Sequence, residues 1–225
     1  MLTRLFSSSL CTLCRQRSTG NSTLCPYCWQ LFVPLERHTT CLCAMPIWGT
    51  TTQCVSCQQQ PPHFQQAFCG YRYHYPLNKL INHYKHHRQM TVEACLKELW
   101  LAHISRITTA PEVLVPVPLH WRRHACRGFN QAHRLTKFAS QHTHIPIASL
   151  LRKSVPTKAQ QKRSKQQRHQ ALQGVFQYLP NTATYSHVAL VDDVLTTGST
   201  ANEAAKTLLM HGVQRVDVWA LARAF

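Results

Sequence analysis

From His187 the chain reads HVALVDDVLTTGST and continues into ANEAAKTLLMHG, a succession that few folds accommodate. His187 to Val191 is a short apolar run of strand length, and Asp192 and Asp193 follow it side by side. Thr196, Thr197, Gly198, Ser199 and Thr200 then make a loop of small residues, and an Ala-rich helix runs to about Gly212. Strand, acidic pair, loop and helix together predict an α/β domain that takes its ligand at the carboxyl ends of its strands. Adjacent carboxylates accept hydrogen bonds from vicinal hydroxyls and help hold a hydrated Mg²⁺. A Thr/Gly/Ser loop ahead of a helix offers N–H and hydroxyl donors to a terminal phosphate, and Gly198 lets the backbone approach that anion closely.

The rest of the composition favours an anionic partner. There are 25 Lys and Arg against 8 Asp and Glu, for a formal charge of +17. No acid lies between Glu112 and Asp192, a stretch that holds Arg122, Arg123, Arg127, Lys162, Arg163, Lys165 and Arg168 among others. Such a field attracts nucleic acid or phosphorylated metabolites without specifying a fold. No run approaches the ~18 apolar residues of a membrane span, and the opening MLTRLFSSSLCTLC has too short an apolar block for a signal peptide. The expectation is a cytoplasmic protein whose thiols stay reduced.

Two domains are expected, residues 1–60 and 61–225. In the first, Cys11, Cys14, Cys25 and Cys28 form two CxxC pairs with the spacing of a four-thiolate zinc ribbon. A shift of 29 positions carries three of these onto Cys43, Cys54 and Cys57, and Gly20 onto Gly49, so the unit is used twice. Cys11 maps onto Thr40, however, and Cys41 completes the second set as a CxC with Cys43. That departure is expected to weaken the second zinc site. Cys69, Cys95 and Cys126 do not pair in sequence and are read as core thiols.

After a Gln/Pro-rich linker around residues 58–62, Leu77, Leu80, Ile81 and Tyr84 recur at helical spacing, and Val92 to Ile104 continues as a second helix. His83 and His87 stand four apart, but among 15 histidines that spacing arises easily, and a structural role is the preferred reading. Val113 to Val117 reads as a buried strand, and the loop after it carries Arg122, Arg123 and Arg127. A helix opened by Gly128 follows, an arrangement suited to phosphate or pyrophosphate. Ile145 to Leu151 and Val175 to Leu179 are expected strands. Between them, Arg152 to Gln170 is basic, Gln-rich and nearly without aliphatic residues, and is expected to be a flexible loop able to fold over an anion.

VALVDDVLTTGST closely resembles the phosphoribosyl pyrophosphate (PRPP) motif of type I phosphoribosyltransferases. The resemblance implies that family's parallel sheet flanked by helices. It implies ribose contacts and indirect Mg²⁺ binding by Asp192 and Asp193, and a 5′-phosphate cradle from Thr196, Thr197, Gly198, Ser199 and Thr200. It also implies pyrophosphate or DNA-phosphate contacts near Leu119, Arg122, Arg123 and Arg127. The cysteine pairs, PVPLHWRRHACRGFNQA, and Thr157 and Gln160 ahead of Arg168 in the flexible loop extend the resemblance to the ComF/GntX proteins over nearly the whole chain. One departure is Ala171, where an Asn is usual.

That second resemblance implies a zinc-ribbon protein of natural transformation, handling imported single-stranded DNA at the cytoplasmic side of the inner membrane beside proteins of the competence machinery. Two functions compete. One is a PRPP-binding protein that grips single-stranded DNA. The other is a phosphoribosyltransferase with a small-molecule acceptor. In 6-oxopurine salvage enzymes an Asp serves as base near the start of the phosphate loop, and Thr196 stands there instead, which disfavours ordinary purine salvage.

Overall fold

The computed structural model describes residues 10–18, 20–49, 51–87, 89–119, 128–153, 174–180 and 183–225. Its centre is a parallel sheet of four strands: β1 (Gln66–Arg72), β2 (Val113–Pro116), β5 (His187–Leu195) and β6 (Arg215–Arg223), in the order β1-β6-β5-β2. A parallel sheet is covered on both faces, and the central strands read accordingly as continuous apolar runs. Val188 and Leu190 pack into one core while Ala189 and Val191 pack into the other, all four fully buried.

One face carries α3 (Leu77–His87), α4 (Met90–Ile104) and α5 (Gln131–Thr143), and the opposite face carries α6 (Ser199–Met210). Trp100 of α4 is fully buried and its indole N–H donates to Leu135 O at 2.8 Å, tying α4 to α5 while satisfying the one polar atom it brings inside. Asn130 caps α5 by accepting from Ala132 N, and its amide donates to Val117 O at 3.1 Å, which fixes that helix to the end of β2.

The expected strand over Ile145 to Leu151 is only partly realised. Leu114 N donates to Pro146 O and Ala148 N donates to Leu114 O, so this segment lies along the outer side of β2 through one parallel bridge at Ile147. Pro146 has no N–H to give, which suits it to a sheet edge and shortens the pairing. Leu151 instead begins β3 (Leu151–Lys153), which pairs antiparallel with β4 (Phe176–Tyr178) in a separate two-stranded sheet. The expected strand over Val175 to Leu179 is therefore formed, outside the main sheet. Tyr178 stacks on His211 at 4.5 Å and Gly174 N donates to Glu203, so this arm rests on α6.

Candidate functional site

Asp192 and Asp193 lie at the carboxyl end of β5, on opposite sides of it as consecutive strand residues must be. Asp193 faces the α3–α4–α5 layer, where Lys85 Nζ stands 2.7 Å from its Oδ2. Burial raises the Asp192 carboxyl to about 7, the neighbouring Asp193 charge adds to that rise, and Lys85 opposes it. Two adjacent carboxylates at the carboxyl end of a central strand have the chemistry to accept from vicinal hydroxyls or to face a hydrated cation.

The chain then turns through Thr196 and Thr197, both exposed, to Gly198 at φ +79°, a left-handed conformation that glycine adopts without strain. Gly198 caps α6 without a side-chain acceptor of its own; Ser199 N donates to Thr197 Oγ1 at 3.4 Å, and the N–H groups of Thr200 and Ala201 follow it at the open end of the helix. Ser199 and Thr197 share a hydroxyl hydrogen bond across the turn. Exposed hydroxyls, helix N–H groups and the positive end of α6 converge here, and they suit a phosphate monoester.

Pro116 of β2 pairs with Val191 of β5, so the loop that begins at Val117 leaves the same edge of the sheet as the acidic pair. Leu119 lines a cleft of about 450 Å³ there, together with Pro118, Gly128, Asn130, His133 and Ser149. Arg122, Arg123 and Arg127, and Thr157, Gln160 and Arg168 of the expected flexible loop, lie outside the described residues.

All eight paired cysteines of the first sixty residues are described, and they fall into two groups, Cys11, Cys14, Cys25, Cys28 and Cys41, Cys43, Cys54, Cys57. Within each group the sulfur atoms lie within 4.8 Å of one another, and Cys14 to Cys25 and Cys43 to Cys54 each measure 3.7 Å. A tetrahedron with ~2.3 Å zinc–sulfur bonds has edges of about 3.8 Å, so both groups fit a zinc ion. The CxC of the second set does not keep its four sulfur atoms apart. Cys11 N donates to Gln16 O, and Cys41 N donates to Met45 O, closing a similar turn one residue shorter. Arg15 and Ala44, each just after the second cysteine of its turn, both take positive φ, 65° and 58°. In each remaining pair the first cysteine is the N-cap of a short helix and the second lies within it, α1 (Pro26–Trp29) for Cys25 and Cys28 and α2 (Val55–Gln59) for Cys54 and Cys57.

The two modules attach at different places. Ser22 and Thr23 of the first give Glu98 of α4 three hydrogen bonds of 2.6 to 2.8 Å. Cys11, Cys25 and Cys28 share the core that contains Leu99 and Trp100. The second module meets the other core and the carboxyl end of β6: Ala67 N donates to Leu42 O, and Arg223 Nε donates to Cys43 O at 2.9 Å.

Lys85 and Arg223 were not singled out as site residues by the sequence. Lys85 is hidden inside the run HYKHH, and Arg223 is visible only as a charge ending the apolar strand RVDVWALAR. Cys69 and Cys95 are buried thiols, each pushed up to about 12 by burial, in keeping with a packing role. Cys126 lies outside the described residues. Among the described residues the groups able to hold a metal are the two cysteine sets.

No helix among the described residues is long and apolar enough to cross a membrane. No protein-family model matches the chain. It is 32% identical over 220 residues to DNA utilization protein YhgH of Escherichia coli (strain K12), covering 95% of this chain and 90% of that one. It is 35% identical over 190 residues to competence protein F of Haemophilus influenzae, covering 81% and 83%. With competence protein ComFC of Bacillus subtilis the figure is 27% over 209 residues, covering 90% and 79%. Among solved structures, a glutamine PRPP amidotransferase from B. subtilis complexed with ADP and GMP aligns with a TM-score of 0.41 and 18% identity, over 57% of this chain and 26% of that one. An adenine phosphoribosyltransferase from Leishmania tarentolae aligns at 0.30 and 13%, over 59% and 72%. Likeness at those scores carries no argument about a ligand. Sequence identity across nearly the full length of YhgH is decisive for kinship: the chain belongs to the ComF family.

Proposed function

We propose that this chain binds PRPP with Mg²⁺ between the acidic pair and the loop at Gly198, holds zinc in its two cysteine groups, and serves natural transformation by handling single-stranded DNA. One observation supports the ligand above others: two adjacent carboxylates at the end of β5 lead directly into a loop of exposed threonines and a helix N-terminus, a combination suited to a phosphate. The carboxylates would take the ribose hydroxyls and the hydrated cation, and the loop the 5′-phosphate. The names of the relatives, DNA utilization and competence proteins, support the biological setting. The formal charge of +17, gathered largely into one acid-free stretch, supports a polyanion as the second partner. Residues 1–60 and 61–225 are kept as the functional division, a metal-holding module and a ligand-binding domain that share their cores.

Calorimetry with PRPP and Mg²⁺ tests the ligand, with Asp192 and Asp193 both changed to Ala as the comparison. The wild-type chain is expected to bind and the double variant not to; equal affinities would refute the site. Pyrophosphate release from PRPP in the presence of single-stranded DNA, nucleobases or nucleotides tests for transfer. Release with a nucleobase or nucleotide alone would favour a small-molecule transferase.

A further inference from the structure

Arg223 is 4% exposed, yet among the described residues no carboxylate lies within 4.0 Å of its guanidinium. Its acceptors are backbone carbonyls in two different parts of the molecule. Nε donates to Cys43 O at 2.9 Å, inside the turn of the second cysteine group. Nη1 donates to Leu195 O at 3.0 Å and to Thr196 O, where β5 opens into the phosphate loop. The loop is held from the same side by two further bonds. Ala224 N donates to Leu195 O at 2.9 Å, and His63 N, from the segment just after the second module, donates to Asn202 Oδ1 in the first turn of α6.

A buried guanidinium is costly unless charge and hydrogen bonds compensate it, and carbonyl dipoles supply only part of that. Cys43 would give one of the four thiolates to a metal in its group. The metal would fix the Cys41–Cys43 turn that presents the carbonyl to Arg223. We infer that Arg223 is a positioning residue through which occupancy of the second cysteine group sets the phosphate loop at Thr196, so that losing that metal loosens the loop and lowers affinity for the phosphate end of the ligand. The inference deepens the PRPP reading and, for its effect on affinity, rests on it. The first module docks on Glu98 in the other layer through Ser22 and Thr23, and among the described residues no hydrogen bond joins it to the loop.

The test uses the full zinc-replete chain and three variants: Arg223→Lys, Cys57→Ser and Cys28→Ser. The primary readout needs no ligand. It is amide hydrogen exchange at Asn202 and Ala224, whose N–H groups donate to Gly198 O and Leu195 O on either side of the loop. Arg223→Lys keeps the charge but cannot span both carbonyl groups, and it should retain both zinc ions. It is expected to speed exchange at these two amides about tenfold, as befits a lost hydrogen bond to a charged group, while α4 keeps wild-type protection. Cys57→Ser should do the same with one zinc lost, and Cys28→Ser should not. If Cys57→Ser fails to fold, Arg223→Lys decides alone. Unchanged exchange in Arg223→Lys, or equal effects from Cys28→Ser and Cys57→Ser, overturns the link. PRPP affinity is measured on the same samples and is expected to fall about tenfold in Arg223→Lys. Faster exchange without any wild-type affinity for PRPP would leave the link standing and refute the ligand. Normal, equal affinity with unchanged exchange would do the reverse.

Discussion

Lys85 Nζ lies 2.7 Å from Asp193 Oδ2, joining a helix of one layer to the acidic end of the central strand, with both side chains less than one-fifth exposed. The pair leaves Asp192 as the less compensated of the two carboxylates. Burial and the Asp193 charge hold it at about 7, and Lys85 already pulls against that rise. Changing Lys85 to Met removes the opposing charge, so the Asp192 pKa should rise further. Affinity for PRPP with Mg²⁺ needs the ionised form, so the pH at which binding falls away should move up in the variant. Calorimetric titrations between about pH 6 and pH 9 would read the shift. An unmoved acid limb would mean that Asp192 does not govern binding.

The same group makes a stability prediction of definite sign. Its folded pKa of about 7 lies above the ordinary aspartate value of 3.8, so between those values the folded chain binds more protons than the unfolded one. Stability due to this group is therefore lost as pH rises, since ionising a buried carboxylate is penalised. Asp192→Asn removes that penalty. Its melting temperature should exceed that of the wild type, with a gap that widens from about pH 4 to about pH 7 and then levels off, while PRPP affinity is lost. Thermal melts across that range would check it. A variant less stable than wild type at every pH would show that Asp192 holds the fold and not a ligand.

The features legible in the sequence were those carried by local pattern. A 29-residue offset grouped seven of the eight cysteines, with Cys41 supplied as the neighbour of Cys43, and the turn after Cys41 shows how a CxC brings its sulfurs together as a CxxC does: the loop closes one residue earlier and the left-handed residue shifts with it, from Arg15 to Ala44. The apolar run before Asp192 likewise announced a strand buried on both faces. Partners brought from far along the chain were not legible. Nothing near Lys85 marks it as the partner of Asp193, because the two are 108 positions apart and meet only when α3 packs on the sheet. Arg223 and Cys43 are 180 apart. The strand expected over Ile145 to Leu151 was cut to a single bridge for a local reason that periodicity hides: Pro146 and, on β2, Pro116 each lack the N–H that would extend the ladder.

Metal content should be two zinc ions per chain by elemental analysis, falling to one in Cys28→Ser. The effect on stability should reach beyond the module. Cys11, Cys25 and Cys28 are in one core with Leu99 and Trp100, and Glu98 takes three hydrogen bonds from Ser22 and Thr23. Losing the metal frees that segment, so chelation and Cys28→Ser should both lower the melting temperature of the sheet domain, not only unfold the first sixty residues. Metal analysis that finds none in a folded, reduced chain would remove zinc from the account.

Single-stranded DNA should bind chiefly through the acid-free stretch between Arg122 and Arg168, most of whose basic residues lie outside the described residues, so the prediction rests on charge placement in the sequence. Twelve Lys and Arg lie between Glu112 and Asp192 with no acid among them. Each phosphate neutralised releases condensed cations, with a salt slope of about 0.7 per contact on single strands. Base stacking on Trp121 could add about 1 to 3 kcal/mol. Two triple variants separate the contributions: Arg122, Arg123 and Arg127 changed to Ala, and Lys162, Arg163 and Lys165 changed to Ala. Each should weaken binding and flatten its salt dependence by about two units of slope if all three cations touch phosphate. The first set follows β2 in sequence, and β2 ends beside β5, so changing it should lower PRPP affinity as well, whereas the second should spare it if its cations serve DNA alone. Fluorescence anisotropy at several salt concentrations, with transformation frequency measured beside it, would decide. Wild-type affinity and slope in both variants, together with normal transformation, would remove DNA from this stretch and favour a small-molecule transferase with an incidentally basic surface.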